Sequence, residues 1–133
     1  MIFTLEHIKK IWLEQKTQTR RWSARVPTPL LYNRYKIGQL YAVQEGRGKP
    51  GLPDMKIRIT RKWIESEIPE KTDKTFVAHK FFIPLLQGIP ILPSDAQAEG
   101  GYDPENYEVE FRKLNPKWDG IDRVGLEFEV VRL

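Results

Sequence analysis

The chain has 133 residues, a length that suits one compact domain spanning 1–133, since domains commonly run to about 100–150 residues. With 40% hydrophobic, 11% aromatic and 30% charged residues, it is too apolar to be disordered throughout and is expected to fold unaided. The longest mostly apolar run, Phe81 to Leu92, is cut by Pro84, Gln87, Gly88 and Pro90 and falls short of the roughly 20 residues needed to cross a bilayer, so no membrane partner is expected.

Glu6, His7, Lys9 and Lys10 interrupt the N-terminal apolar residues, which leaves no secretory signal and places the protein in the cytoplasm by expectation. The absence of cysteine excludes disulfides, thiol nucleophiles and thiolate metal sites. His7 and His79 are too few for a multi-histidine metal centre, and Glu105, Glu108 and Glu110 are spaced as a solvated helix flank, so no metal or cofactor is expected. The net charge of +4 hides a split: residues 1 to 62 hold 14 Lys+Arg against 4 Asp+Glu (+10), and the remainder hold 8 against 14 (−6). Either the halves neutralise each other across the fold, or the first half presents a positive field to a polyanion.

Thr4 is placed to cap a first helix running to about Gln15, with Leu5, Ile8, Ile11 and Trp12 as its apolar stripe. Lys16 then stands at the helix exit, and the basic, β-tolerant Lys16–Trp22 segment follows. Pro27 and Pro29 predict an extended or looping path through Arg34. Gln39–Gln44 reads as a strand, and Glu45–Asp54, rich in glycine and proline, as a mobile basic loop. Met55, Ile57 and Ile59 alternate with Lys56, Arg58 and Thr60, as in a strand with one buried face. Ile64–Lys74 reads as charged and irregular, and Phe76–Phe82 as a further strand. Ser94 with Gln97 suggests a capping box for a short helical turn ended by Gly100-Gly101. Asp103 and Pro104 start a helix whose Tyr107, Phe111 and Leu114 share a face and which Asn115-Pro116 ends. Val124, Leu126, Phe128 and Val130 alternate with Glu127 and Glu129 in a last strand. The fold class is α+β, a small barrel or curled sheet with packed helices.

Lys16-Thr17-Gln18-Thr19-Arg20-Arg21, after an N-terminal helix, is similar to the G-x-K-T-x-T-x-R signature of the ASCH domain family, small β-barrels of the PUA-like superfamily. Tyr35-Lys36-Ile37-Gly38-Gln39, Tyr41-Ala42-Val43-Gln44, Gly46-Arg47-Gly48, Asp95–Tyr102 and Asn115-Pro116-Lys117-Trp118 follow in the family's order. The resemblance covers about Ile2–Lys62 and Pro93–Val131, leaving an insertion at about 63–92. Glu14 stands where the family has glycine, so the turn before Lys16 is expected to be shaped differently.

The resemblance implies binding of RNA or a modified nucleoside in a basic cleft. For a subset of the family it also implies hydrolysis of the acyl amide of acylated cytidines such as N4-acetylcytidine. The catalytic trio of that subset falls on Lys16, Thr19 and Glu99. A threonine hydroxyl attacks only when a base takes its proton, and lysine serves as that base when burial or positive neighbours lower its pKa. Glu99 would shuttle a proton to the departing amine or direct the water. The plainer alternative makes Lys16 part of a solvated charge run, Thr19 a strand residue and Glu99 a helix-end carboxylate. For nucleic-acid binding, Arg20, Arg21, Arg25, Arg47, Lys49, Lys56 and Arg58 offer positive charge, while Trp22, Tyr32 and Tyr35 offer either stacking surfaces or core packing. Gly46-Arg47-Gly48-Lys49 lacks the spacing of a triphosphate-binding loop. Oligomeric state is not legible.

Overall fold

The computed structural model describes residues 1–66, 79–81 and 91–133. In chain order these form α1 (Leu5–Trp12), β1 (Gln18–Arg21), α2 (Thr28–Arg34), β2 (Leu40–Ala42), β3 (Met55–Ser66), β4 (His79–Phe81), α3 (Pro93–Ala98), α4 (Pro104–Leu114) and β5 (Asp122–Arg132). The strands make one sheet in the order β1-β5-β3-β2, antiparallel throughout, with β4 added parallel to the end of β3. The expected class, α+β, is the one observed. Closure into a barrel is not seen among the described residues. One edge of β3 is fully occupied by β5, so β2 at Lys56–Arg58 and β4 at Ile64–Ser66 share the other, and β1 ends the sheet opposite. No helix among the described residues is long and apolar enough to cross a membrane.

α1 begins where expected: the Thr4 side chain accepts from the His7 amide. Ile8 and Ile11 face the core, but Leu5 and Trp12, at the ends of the predicted stripe, are exposed. The helix ends in a Schellman motif, with Gln15 N donating to Lys10 O (2.8 Å) and Glu14 N to Ile11 O (3.0 Å). That motif needs a left-handed residue, usually glycine. Glu14 fills the role with φ 59°, so the turn into Lys16 keeps the shape that glycine favours although glycine is absent. The path after Pro27 is helical rather than extended. Pro29 sits in the first turn of α2, where a missing N–H costs nothing and its fixed φ already suits the helix. α3 starts at Pro93, one residue before the expected cap, and no side chain caps it, so the Ser94–Gln97 box does not form. Asp103 caps α4 as its sequence suggests, accepting from Asn106 N. Tyr107 and Phe111 are buried, whereas Leu114 is exposed.

β3 is longer than its alternating start suggests and carries a bulge between Ile59 and Arg61. One residue is absorbed there, so side-chain parity switches. Met55, Ile57 and Ile59 before the bulge, and Ile64 after it, join Val124, Leu126 and Phe128 of β5 in the main core, where α1 and α2 pack. Trp63 and Glu65 therefore turn to the opposite face, which α3 and α4 cover with Ile91, Ala96, Tyr107, Phe111 and Trp118. Trp63–Ser66 thus belongs to the sheet. Of the expected irregular stretch Ile64–Lys74, the first three residues are strand, and of Phe76–Phe82, His79–Phe81 is strand. The remainder of both, with most of the expected insertion, lies outside the described residues.

Trp63 pairs with Gly125 across β3 and β5. A Cβ at Gly125 would come within 2.2 Å of the Trp63 ring, so the indole lies against bare backbone and only glycine fits. Gly125→Ala is expected to cost at least about 1–3 kcal/mol through overpacking, read as a lowered urea midpoint at unchanged slope.

Candidate functional site

β1 is a four-residue strand with both faces in use. Alternation puts Thr19 and Arg21 on the side of the main core, and Gln18 and Arg20 on the side of α3 and α4. Along its outer edge lies a cavity of about 280 Å³. Ile2, Phe3, Thr4 and His7 wall it on one side, Tyr107, Glu110, Phe111 and Leu114 of α4 on the other, and Lys16, Thr19 and Glu99 all line it. The volume is just below the range of about 300–1,000 Å³ common for small-ligand sites.

Lys16 and Glu99 are 2% and 1% exposed. Lys16 Nζ donates to Glu99 Oε1 at 2.7 Å and to the Glu99 carbonyl at 2.8 Å. The second contact places a cation on the C-terminal carbonyls of α3, which the helix dipole favours. Arg20 Nη1 donates to the other oxygen, Glu99 Oε2, at 2.9 Å. Burial alone would raise the Glu99 pKa, but Lys16 and Arg20 outweigh it and hold the carboxyl below its usual range. Glu99 is therefore an ionised acceptor rather than a resting proton donor. Burial pushes the Lys16 ammonium below the ordinary lysine value, and the Glu99 charge offsets this only in part.

A chain of buried ion pairs continues away from the cavity. Arg20 reaches Glu65 Oε1 through Nη2 (2.7 Å) and Nε (3.1 Å). Trp63 Nε1 donates to the same oxygen at 3.0 Å, and Arg123 Nε takes Glu65 Oε2 at 2.9 Å. Arg123 then clasps both oxygens of Glu108, at 2.9 and 2.5 Å. Gln18 bridges the first links, accepting from Arg20 Nη1 at 2.8 Å and donating to Asp95 Oδ1 at 3.0 Å. Glu65 remains ionised far below the normal carboxylate range: burial works against that, but Arg20 and Arg123 prevail.

Lys16, Thr19 and Glu99 are thus gathered at one cavity, with Arg21 and Trp22 on the same wall. Arg20 also lines the cavity but is spent on Glu65 and Glu99. The remaining cationic candidates are not gathered there: Arg58 pairs with Glu129 at 2.9 Å on another part of β3. Arg25, Arg47 and Lys49 are exposed, and Lys56 is half-buried in mid-strand. Tyr35 packs on the main core edge-to-face with Tyr41, centroids 6.2 Å apart, which is a structural use. Sequence reasoning missed Glu65, Arg123, Gln18 and Asp95, and it read Glu108 as part of a solvated flank where the side chain is fully buried. Glu65 lay in a stretch read as irregular, and the bulge that aims it leaves no periodic signal. His7 is half-buried at the wall, its Nε2 2.9 Å from the Tyr102 hydroxyl. Among the described residues no group of His, Asp or Glu is arranged to hold a metal ion.

Two outcomes are expected. Glu65→Gln leaves Arg20 and Arg123 buried around a neutral amide and should lower stability by about 3–5 kcal/mol in denaturant titrations. Burial, aided by the Lys16 charge, lowers the His7 pKa from 6.5 to about 4. Between those values the unfolded chain binds the proton and the folded chain does not, so this contribution to stability is complete above pH 6.5 and declines as pH falls toward 4. His7→Gln should flatten that slope.

No protein-family model matches the sequence, and no curated protein does. Among solved structures, the chain is similar to protein EF3133 from Enterococcus faecalis V583, of the family designated DUF984: identity is 23%, the TM-score 0.54, and the match covers 94% of this chain and 69% of that one. DUF984 is an ASCH-like fold family, and at this identity the likeness speaks to the fold alone.

Proposed function

We propose that the chain is an ASCH-type domain whose cavity binds a modified nucleoside and hydrolyses the acyl amide of an N4-acylated cytidine. The observation that carries this reading is the Lys16–Glu99 pair, 2.7 Å apart, buried, and lining the same cavity as Thr19. A cavity of about 280 Å³ suits one base and its sugar, not a length of strand. RNA enters the reading only as a single unstacked base, because the cations expected to follow a phosphate backbone, Arg21 apart, are divided between an ion network and other surfaces.

In this mechanism the Thr19 hydroxyl oxygen attacks the acyl carbonyl carbon as its proton passes to the neutral Lys16 amine. The C–N bond then breaks, and Lys16 returns the proton to the departing exocyclic amine, which leaves as cytidine. Water attacks the resulting ester on Thr19 as the ionised Glu99 takes its proton; the bond from the acyl carbon to Thr19 Oγ then breaks, Glu99 passes the proton to that oxygen, and the carboxylic acid is released. Glu99 is thereby assigned the water rather than the leaving group, since Lys16 and Arg20 keep it deprotonated. Burial supplies the lowered Lys16 pKa that the first step needs.

The test is chromatographic: N4-acetylcytidine and a panel of longer acyl homologues are incubated with the protein, and cytidine release is followed. Lys16→Met retains the apolar stem and leaves Glu99 paired with Arg20. It and Thr19→Val should each lose about 10²–10⁴-fold in rate. The wild-type rate should climb with pH to a plateau reached below the ordinary lysine value. Release that is equal in the wild type and both variants would overturn the reading.

A further inference from the structure

The cations around the cavity are unequally employed. Lys16 is bound to Glu99, and Arg20 is divided between Glu99 and Glu65. His7 is neutral at ordinary pH, its pKa lowered to about 4 by burial. Arg21 differs from all three. Its Nη2 donates to the Ile2 carbonyl at 2.9 Å, and its guanidinium lies 4.7 Å from the Phe3 ring centroid. Its Nε is fully buried with no acceptor, and no carboxylate forms an ion pair with it among the described residues. Burial works against its charge, and Tyr35 and the Glu99 carboxylate offset this only in part.

A half-buried arginine held by one carbonyl and one ring, and carrying an unused donor, is a costly arrangement unless an anion completes it. The position fits a ligand group remote from the reacting amide. Arg21 stands two residues beyond Thr19 on the same face of β1, at the wall made by Ile2 and Phe3. Glu110, the other carboxylate lining the cavity, lies on α4 toward Tyr102, whose pKa burial and Glu110 raise.

We propose that Arg21 receives a phosphate carried on the ribose of the ligand, so that the substrate is a nucleotide rather than a bare nucleoside. The inference rests on the nucleoside reading of the cavity. A planar guanidinium suits a phosphate oxygen pair, as the point charge of lysine would not.

Calorimetric titration of the full chain with cytidine, cytidine 5′-monophosphate and cytidine 3′-monophosphate tests it without any reaction. One of the monophosphates should bind about ten-fold or more tightly than cytidine. Arg21→Gln should erase that advantage and Arg21→Lys should restore part of it, with far-UV circular dichroism and melting confirming that both variants fold. Cytidine binding with no gain from either phosphate would overturn this inference and leave the nucleoside reading standing. A gain that survives in Arg21→Gln would assign the phosphate to another cation and also overturn it. Failure of all three ligands to bind would overturn both readings. With acylated substrates, equal loss of nucleoside and nucleotide turnover in Arg21→Gln would place Arg21 at the reacting carbonyl and overturn its role as phosphate receptor.

Discussion

The buried charges beneath α3 and α4 constrain everything around them. Two of the carboxylates are answered from two directions: Glu99 by Lys16 and Arg20, Glu65 by Arg20 and Arg123. Glu108 is held by both prongs of Arg123. Removing an ion from water costs several kcal/mol, and only close pairing with filled hydrogen-bond sites offsets it. The partners come from β1, β3, β5, α3 and α4, so the compensation is complete only when all five elements are in place. The network therefore favours one arrangement of the sheet and its second helical layer over any partly assembled one.

The same pairing sets the chemistry at the cavity. Glu99 keeps one oxygen on Arg20, which leaves its orientation toward Lys16 little freedom. In a poorly solvated site a fixed dipole or charge acts on a reacting group with small reorganisation cost, which is the condition under which such groups lower barriers. Stability and the proposed reaction thus draw on one set of contacts, and a substitution in Glu65, remote from the cavity, reaches Lys16 through two intervening side chains.

Much of this was legible from residues alone. Thr4 and Asp103 announced their helices because a capping oxygen acts over three residues, and the alternation of Met55, Ile57 and Ile59 announced a strand. The resemblance of Lys16–Arg21 to a family signature, with Glu99 beyond it, named three side chains that the fold places on one cavity. The proline-rich start of α2 misled, since proline in a first turn and proline in a loop read alike. Short strands around helical pieces leave a barrel and a curled sheet equally open, the family resemblance favoured the barrel, and the strands described form an open sheet. Most telling is Glu65: within a charged stretch it resembles any solvated glutamate, and its burial depends on partners 45 and 58 positions away, Arg20 and Arg123. Pairing at such separations has no local pattern.

The bulge in β3 gives the strand an arithmetic of its own. Because sides alternate in twos, inserting or deleting one residue between Ile59 and Trp63 would send Glu65 into the apolar core and Ile64 among the arginines. Two such changes together would leave both where they are. Length variation along this strand is thereby confined to even steps, and relatives that share the ion network should differ there by pairs of residues or not at all.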